Sequence, residues 1–343
     1  MKLVGESSEK IKFFLECGLT ISEIEDVLSC YSLRHYKIDT LKQKTIDLFS
    51  DLGKLGFSKK VIIKIIKLLP AVLGYERQTI IDKLNGLESL GYTHRNLVKM
   101  ITYLPLLLGY SLDNIKNTIR ELENLGFSKD DVIKITKVTP RILGYDVATI
   151  QNKIQYLNNL GYSYKEVLLL VKGHPDILCY STNSIKDKFV GLINWGYPKE
   201  NVLKMTTKCP TIYSYSMSSI EMKLSEMMSL GLTKEEVIKI TTTLPTIIGG
   251  AIDRFKTKLT FYQSIGIAEK VINAPQNFIQ SAEVSYARYC FYLAQGIKID
   301  KNNYRKLFVG KEYFERTNKI STKQLLKLYP FSGFQEVVYA RTV

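Results

Sequence analysis

Two combs of residues with one spacing run through this chain. Glycines recur at Gly56, Gly91, Gly126, Gly161, Gly196, Gly231 and Gly266, and prolines at Pro70, Pro105, Pro140, Pro175, Pro210 and Pro245, each series stepping by 35 residues. Chance does not produce two such series in register. A period of about 20 to 50 residues marks a solenoid, in which each unit buries its apolar face only by stacking on its neighbours. Length alone would suggest about two globular domains, but a repeat array of 343 residues is one continuous body.

The residues between the combs define the unit. Ahead of each glycine the apolar positions Ile80, Leu84, Leu87, Leu90, then Ile115, Ile119, Leu122, Leu125, then Ile150, Ile154, Leu157, Leu160 follow i, i+4, i+7, i+10. That is one stripe of an amphipathic helix, and it continues in Ile185, Phe189, Leu192, Trp195 and in Ile220, Leu224, Met227, Leu230, which makes Trp195 a core residue. Ser111, Asp146, Ser181 and Ser216 stand where a side-chain oxygen caps this first helix, and the glycine closes it. Ser58, Thr93, Ser128, Ser163 and Thr233 follow two residues later, with Asp131, Glu166 and Glu236 placed to complete capping boxes. They open a second helix, with Val132, Ile133, Ile135 and Val138 as apolar positions, that must end near the proline. The remainder, such as Pro105-Leu-Leu-Leu-Gly-Tyr110, has room for one helical turn and a glycine bend.

Composition narrows the environment. Forty-five per cent of the residues are apolar, enough for a packed core. Five cysteines, Cys17, Cys30, Cys179, Cys209 and Cys290, show no CxxC pair, which argues against a disulfide framework or a structural zinc site. No window approaches eighteen uncharged apolar residues, so no membrane-spanning helix is expected. The first ten residues have neither the apolar core of a secretory signal nor the arginine-rich character of a transit peptide; either none is needed or one was removed before Met1.

A unit of the form Leu-Gly-(Phe/Tyr)-(Ser/Thr), helix, Pro-x-(Ile/Leu)-Leu-Gly-Tyr, helix resembles the mitochondrial transcription termination factor (mTERF) repeat. The resemblance covers roughly residues 40 to 270, with an irregular first unit around Gly18 and degenerate units at Gly266 and Gly296. It implies an all-α, left-handed superhelical solenoid of about eight or nine repeats, each of two long helices and one short turn, with a basic concave surface that holds double-stranded nucleic acid. The expected organisation is a single solenoid over 1–343: an irregular N-terminal repeat at 1–40, regular repeats at 41–270, and degenerate repeats with a C-terminal cap at 271–343. Departures from the pattern are Ser32 at the first proline position, the early Pro275, and Cys179 and Ser214 in place of a turn glycine. The stretch Leu307 to Arg316 resembles the family's C-terminal cap more weakly.

The chain carries 48 Lys plus Arg against 33 Asp plus Glu, a formal net charge of +15. The surplus is organised. Eight residues after the glycine stand Lys64, Lys99, Lys134, Leu169, Lys204 and Lys239, opposite the second helix's apolar stripe, with Lys67, Lys137, Lys172 and Lys60, Arg95, Lys165 on the same face. Lys83, Thr118, Lys153, Lys188, Lys223 and Lys258 form another column eight before the glycine, where a lysine stem can pack while its ammonium reaches water. Both columns could be solvated faces. Two observations favour a polyanion instead: acids do not match the lysines column for column, and the total charge is high. The candidate phosphate-contacting residues are therefore Lys64, Lys99, Lys134, Lys204 and Lys239, with Arg95, Lys137 and Lys172 beside them. Lysine acts on phosphate as a point charge, whereas guanine is read mostly by arginine, which is sparse here; this implies weak or shape-based sequence preference. Tyr75, Tyr110, Tyr145, Tyr180 and Tyr215 recur after the turn, either as base-stacking platforms or, in better accord with a stacked array, as packing between units.

Catalysis needs convergent titratable groups. His35, His94 and His174 are scattered, no phosphate-binding loop or nucleophile elbow is present, and neither enzyme activity, metal nor cofactor is expected. Through the resemblance, the expected function is a nucleic-acid-binding protein that clamps double-stranded DNA to regulate or terminate transcription. The alternative is a structured-RNA binder or assembly factor for ribosomes or other ribonucleoproteins, acting with a protein partner at the C-terminal cap. A capped superhelix needs no second subunit, so a monomer is expected. The family points to a mitochondrion or plastid; without a visible transit peptide, a bacterial cytoplasm or a processed mature form fits as well.

Overall fold

The computed structural model describes residues 8–30, 33, 35–250 and 252–331. Ser32, the departure at the first proline position, lies outside them, as do the first seven residues. Among the described residues all regular structure is helical, with no strand. The chain divides into two compact units, Met1–Tyr180 and Ser181–Val343.

The first unit opens with helices Ser8–Glu16 and Ile21–Ser29, then repeats one motif. First helices Ile38–Lys54, Arg77–Ser89, Leu112–Asn124 and Val147–Leu160 alternate with second helices Lys59–Leu68, His94–Tyr103, Lys129–Val138 and Tyr164–Gly173. Each second helix runs into a 3-10 turn that begins at the comb proline: Pro70–Gly74, Pro105–Gly109, Pro140–Gly144 and Pro175–Leu178. The second unit carries first helices Thr182–Trp195, Met217–Ser229, Ile252–Ser264 and Ala282–Ala294, with second helices Lys199–Lys208, Lys234–Thr243 and Ala268–Asn273. The last of these has only six residues because Pro275 arrives early and halts it. Helices Lys311–Asn318 and Thr322–Leu328 finish the unit, with Phe314 and Leu325 fully buried.

The caps explain the boundaries. Ser111, Asp146, Ser181 and Ser216 each accept from the amide three residues on, as do Thr93, Ser128, Ser163 and Thr233 on second helices. Capping boxes close at Ser128 with Asp131, Ser163 with Glu166 and Thr233 with Glu236. Ser58 departs from the expectation: it occupies the cap position with no side-chain bond. At the other end of the first helix the comb glycine takes the left-handed region, as at Gly126 with φ 79°, so that the amides of Gly126 and Phe127 turn back to Glu123 and Leu122 carbonyls.

The stripe residues Ile80, Leu84, Leu87, Ile150, Ile154 and Leu157 are buried. Each such side chain contributes about 1.5–3 kcal/mol when fully withdrawn from water. Two expectations need correction. Trp195, like Leu90, Leu125, Leu160 and Leu230 at the same position, is only half-buried, because it stands at the last turn of its helix, where the Lys234 ammonium rather than an apolar layer covers the ring. Val138 is 60% exposed rather than core, since it lies one turn beyond the exposed Lys134.

Buried hydroxyls pin adjacent repeats. The Tyr92 hydroxyl lies 2.6 Å from Thr136 Oγ1, and Tyr197 from Thr241 at the same distance, while each threonine also donates to the carbonyl four residues back. Burial pushes the Tyr92 pKa up to about 12. No polar group in these pairs is left unmatched inside the core.

Candidate nucleic-acid interface

The two lysine columns have separate roles. In the column before the glycine, Lys83 donates to the Tyr110 carbonyl and Lys153 to the Tyr180 carbonyl, each 27 residues on. Thr118 reaches the Tyr145 carbonyl at 2.8 Å, Lys223 that of Ile248 at 2.5 Å, and Lys258 that of Phe278 at 2.6 Å. These ammonium groups do not extend into water as the sequence suggested. They satisfy carbonyls where each turn ends, and burial lowers the pKa of Lys83, Lys153 and Lys258. Lys188 bonds within its own helix, to Ser184. This column ties a first helix to the turn that follows.

The column after the glycine lies outside. Lys64, Lys99, Lys134, Lys204 and Lys239 are all exposed, as are Arg95, Lys137 and Lys172. Lys64 donates to the carbonyls of Thr102 at 2.7 Å and Tyr103 at 3.3 Å, the unpaired C-terminal end of the next second helix. Lys239 donates to Asn273 Oδ1 at 2.8 Å in the same direction. Lys99, Lys134, Lys204, Arg95 and Lys137 make no hydrogen bond or ion pair with any described residue. Their donors face solvent.

Acids do match two lysines of this face, which sequence inspection by column missed. Lys172 lies 2.7 Å from Asp131, and Lys67 the same distance from Glu23. The lysine eleven after one glycine meets the acid five after the preceding one, so the partners sit in different repeats and different columns. Bonding to lysine holds both carboxyls near a pKa of about 2.

The recurrent tyrosines are half-buried packing elements. Tyr36, Tyr75, Tyr110 and Tyr215 each lie against the turn glycine of the following repeat, Gly74, Gly109, Gly144 and Gly249. A Cβ at residue 144 would stand 2.5 Å from the Tyr110 ring, so the turn glycine makes room for the preceding tyrosine. Where Cys179 replaces that glycine, its sulfur accepts a bond from the Tyr145 hydroxyl. His94 is structural too, bridging Glu88 Oε1 at 3.2 Å and the Leu55 carbonyl at 3.0 Å. His174, half-buried, lies 2.9 Å from the Tyr180 hydroxyl.

One feature of this face had no sequence counterpart. Leu68, Tyr103 and Val138, four residues beyond Lys64, Lys99 and Lys134, are 51%, 64% and 60% exposed. Among the described residues no group of three or more His, Cys, Asp or Glu could hold a metal ion. A family model described as mTERF matches residues 48–167 and again 147–286. No curated protein matches the chain.

Proposed function

The chain belongs to the mTERF family, a nucleic-acid-binding repeat family with transcription-related roles, and from that premise we propose that it holds double-stranded DNA on the faces formed by its second helices and thereby regulates or terminates transcription. The observation that carries the reading is the recurrence of exposed cations on one face of the repeat, with Lys99, Lys134, Lys204, Arg95 and Lys137 free of partners among the described residues. Phosphates spaced along a duplex would replace water around these groups and release condensed counterions. Lys64 and Lys239 would exchange a neighbouring oxygen for a phosphate. The scarcity of arginine on this face favours backbone contacts over base reading.

A second reading has its own support. Exposed Leu68, Tyr103 and Val138 beside the lysines, and exposed Leu293, Tyr313 and Leu328 around the C-terminal end, are side chains a protein partner would cover. They favour an assembly factor that binds structured RNA together with a protein. The family supports a mitochondrial or plastid setting for either role; among the described residues no helix is long and apolar enough to cross a membrane.

Fluorescence-anisotropy titration of matched duplex DNA, structured RNA and single strands separates the two. Tightest binding to the duplex supports the clamp. Preference for structured RNA contradicts it and supports assembly.

A further inference from the structure

The turn after Thr243 breaks the pattern that the five turns before it keep. At the positions of Tyr75, Tyr110, Tyr145, Tyr180 and Tyr215 the chain has Gly250, following Pro245-Thr-Ile-Ile-Gly249. Its backbone is extended, φ −89° and ψ 179°, close to Tyr215 at −85° and 152°, so the dihedrals suit a tyrosine, although its Cβ would stand 3.2 Å from the Thr246 carbonyl oxygen, which would have to shift slightly. In the next turn, Pro275–Ile279, the place of the glycine that receives a tyrosine is taken by Ile279. The exchange does not fill the gap: Ile279 is 71% exposed, and a cavity of about 320 Å³ opens between it and Gly250, in the size range of small-ligand sites.

The lining combines apolar and cationic side chains. Leu244 and Phe278 offer apolar surface; Arg254 and Lys258 are the charged residues, and no acid lines the cavity. Arg254, exposed, makes no ion pair or hydrogen bond with any described residue. Position 254 holds a cation where the equivalent places carry Thr79, Asn114, Thr149, Ser184 and Ser219, apart from Lys44 in the first repeat. Burial lowers the Lys258 pKa, and the pull of nearby Glu283 outweighs a smaller push from Arg254.

We propose that this cavity binds an aromatic anion, whose ring takes the missing tyrosine's place between Gly250 and Ile279 and whose carboxylate or phosphate meets Arg254 and Lys258. The ring gains the apolar contact that a tyrosine makes in the sister turns. The anion supplies a counter-charge for Arg254, which has no partner among the described residues, and adds to the Phe278 carbonyl and nearby Glu283 that already face Lys258.

Calorimetric titration of the full chain with phenyl phosphate, phenylacetate and inorganic phosphate tests this. One aromatic anion per chain should bind at least about tenfold more tightly than inorganic phosphate, Gly250→Tyr should abolish that binding with its own ring, and Arg254→Gln should weaken it about tenfold. Binding of phenyl phosphate alone identifies a phosphate-bearing ligand, and of phenylacetate alone a carboxylate. Equal binding of inorganic phosphate, no aromatic binding at millimolar concentration, or unchanged affinity in Gly250→Tyr overturns the proposal. Should Gly250→Tyr fail to fold by circular dichroism, unchanged affinity in Arg254→Gln, an exposed position, overturns it equally.

Discussion

The ammonium of Lys172 and the carboxylate of Asp131 lie 2.7 Å apart across adjacent repeats, on the face that carries the exposed lysine column. Asp131 thus occupies Lys172 as a phosphate would. Asp131→Asn frees the lysine and removes a negative charge from the face. Duplex affinity should rise a few-fold, and the salt slope should steepen by up to about one unit. Unchanged affinity and slope in anisotropy titrations would remove Lys172 from the interface.

The same contact predicts an acid response. Asp131 has its pKa lowered from 3.8 to about 2, so its contribution to folding is complete above the unfolded value and is lost as pH falls through about 2. Acid unfolding followed by circular dichroism should therefore show Asp131→Asn and the parent differing at pH 5 and converging toward pH 2. A constant difference across that range would contradict the assignment.

Tyr110 lies where a Cβ on Gly144 would have to go, 2.5 Å from its ring. Gly144→Ala should destabilise the chain by about 1–3 kcal/mol, with less effect when Tyr110 is also changed to Leu. Chemical denaturation of the two single variants and the double variant measures the coupling. Additive effects would mean that ring and glycine do not constrain one another.

Lys153 is a structural lysine. Lys153→Met removes a charged donor from the Tyr180 carbonyl and, at this partly exposed site, should cost about 1 kcal/mol of stability with little change in the salt slope of binding. A large loss of nucleic-acid affinity with unchanged stability would reverse the roles given to the two columns.

Much of this was legible because the repeat multiplies each weak local signal. The proline turns, the left-handed glycines and most caps follow from residue types whose backbone preferences are strong and local. What escaped depends on contacts between repeats. Lys83 looked like a water-seeking lysine because nothing local shows that the Tyr110 carbonyl, 27 residues away, stands at its tip. Asp131 and Lys172 occupy different columns, so column-by-column inspection could not match them. Trp195 shares the spacing of a core stripe yet sits at a helix end, half-buried beneath the Lys234 ammonium 5.0 Å from its ring centroid. The lysines after the glycine were found from periodicity alone, because one exposed position recurs in each repeat.

The most direct test is the salt dependence of duplex DNA binding between about 50 and 300 mM, for the parent and for a variant with Lys64, Lys99, Lys134, Lys204 and Lys239 all changed to Gln. A parent slope of roughly −5 to −9 in log K against log salt, made shallower by about four units in the variant, is the result predicted here. Equal slopes and equal affinities for a folded variant would contradict it, and would make the column a solvated face.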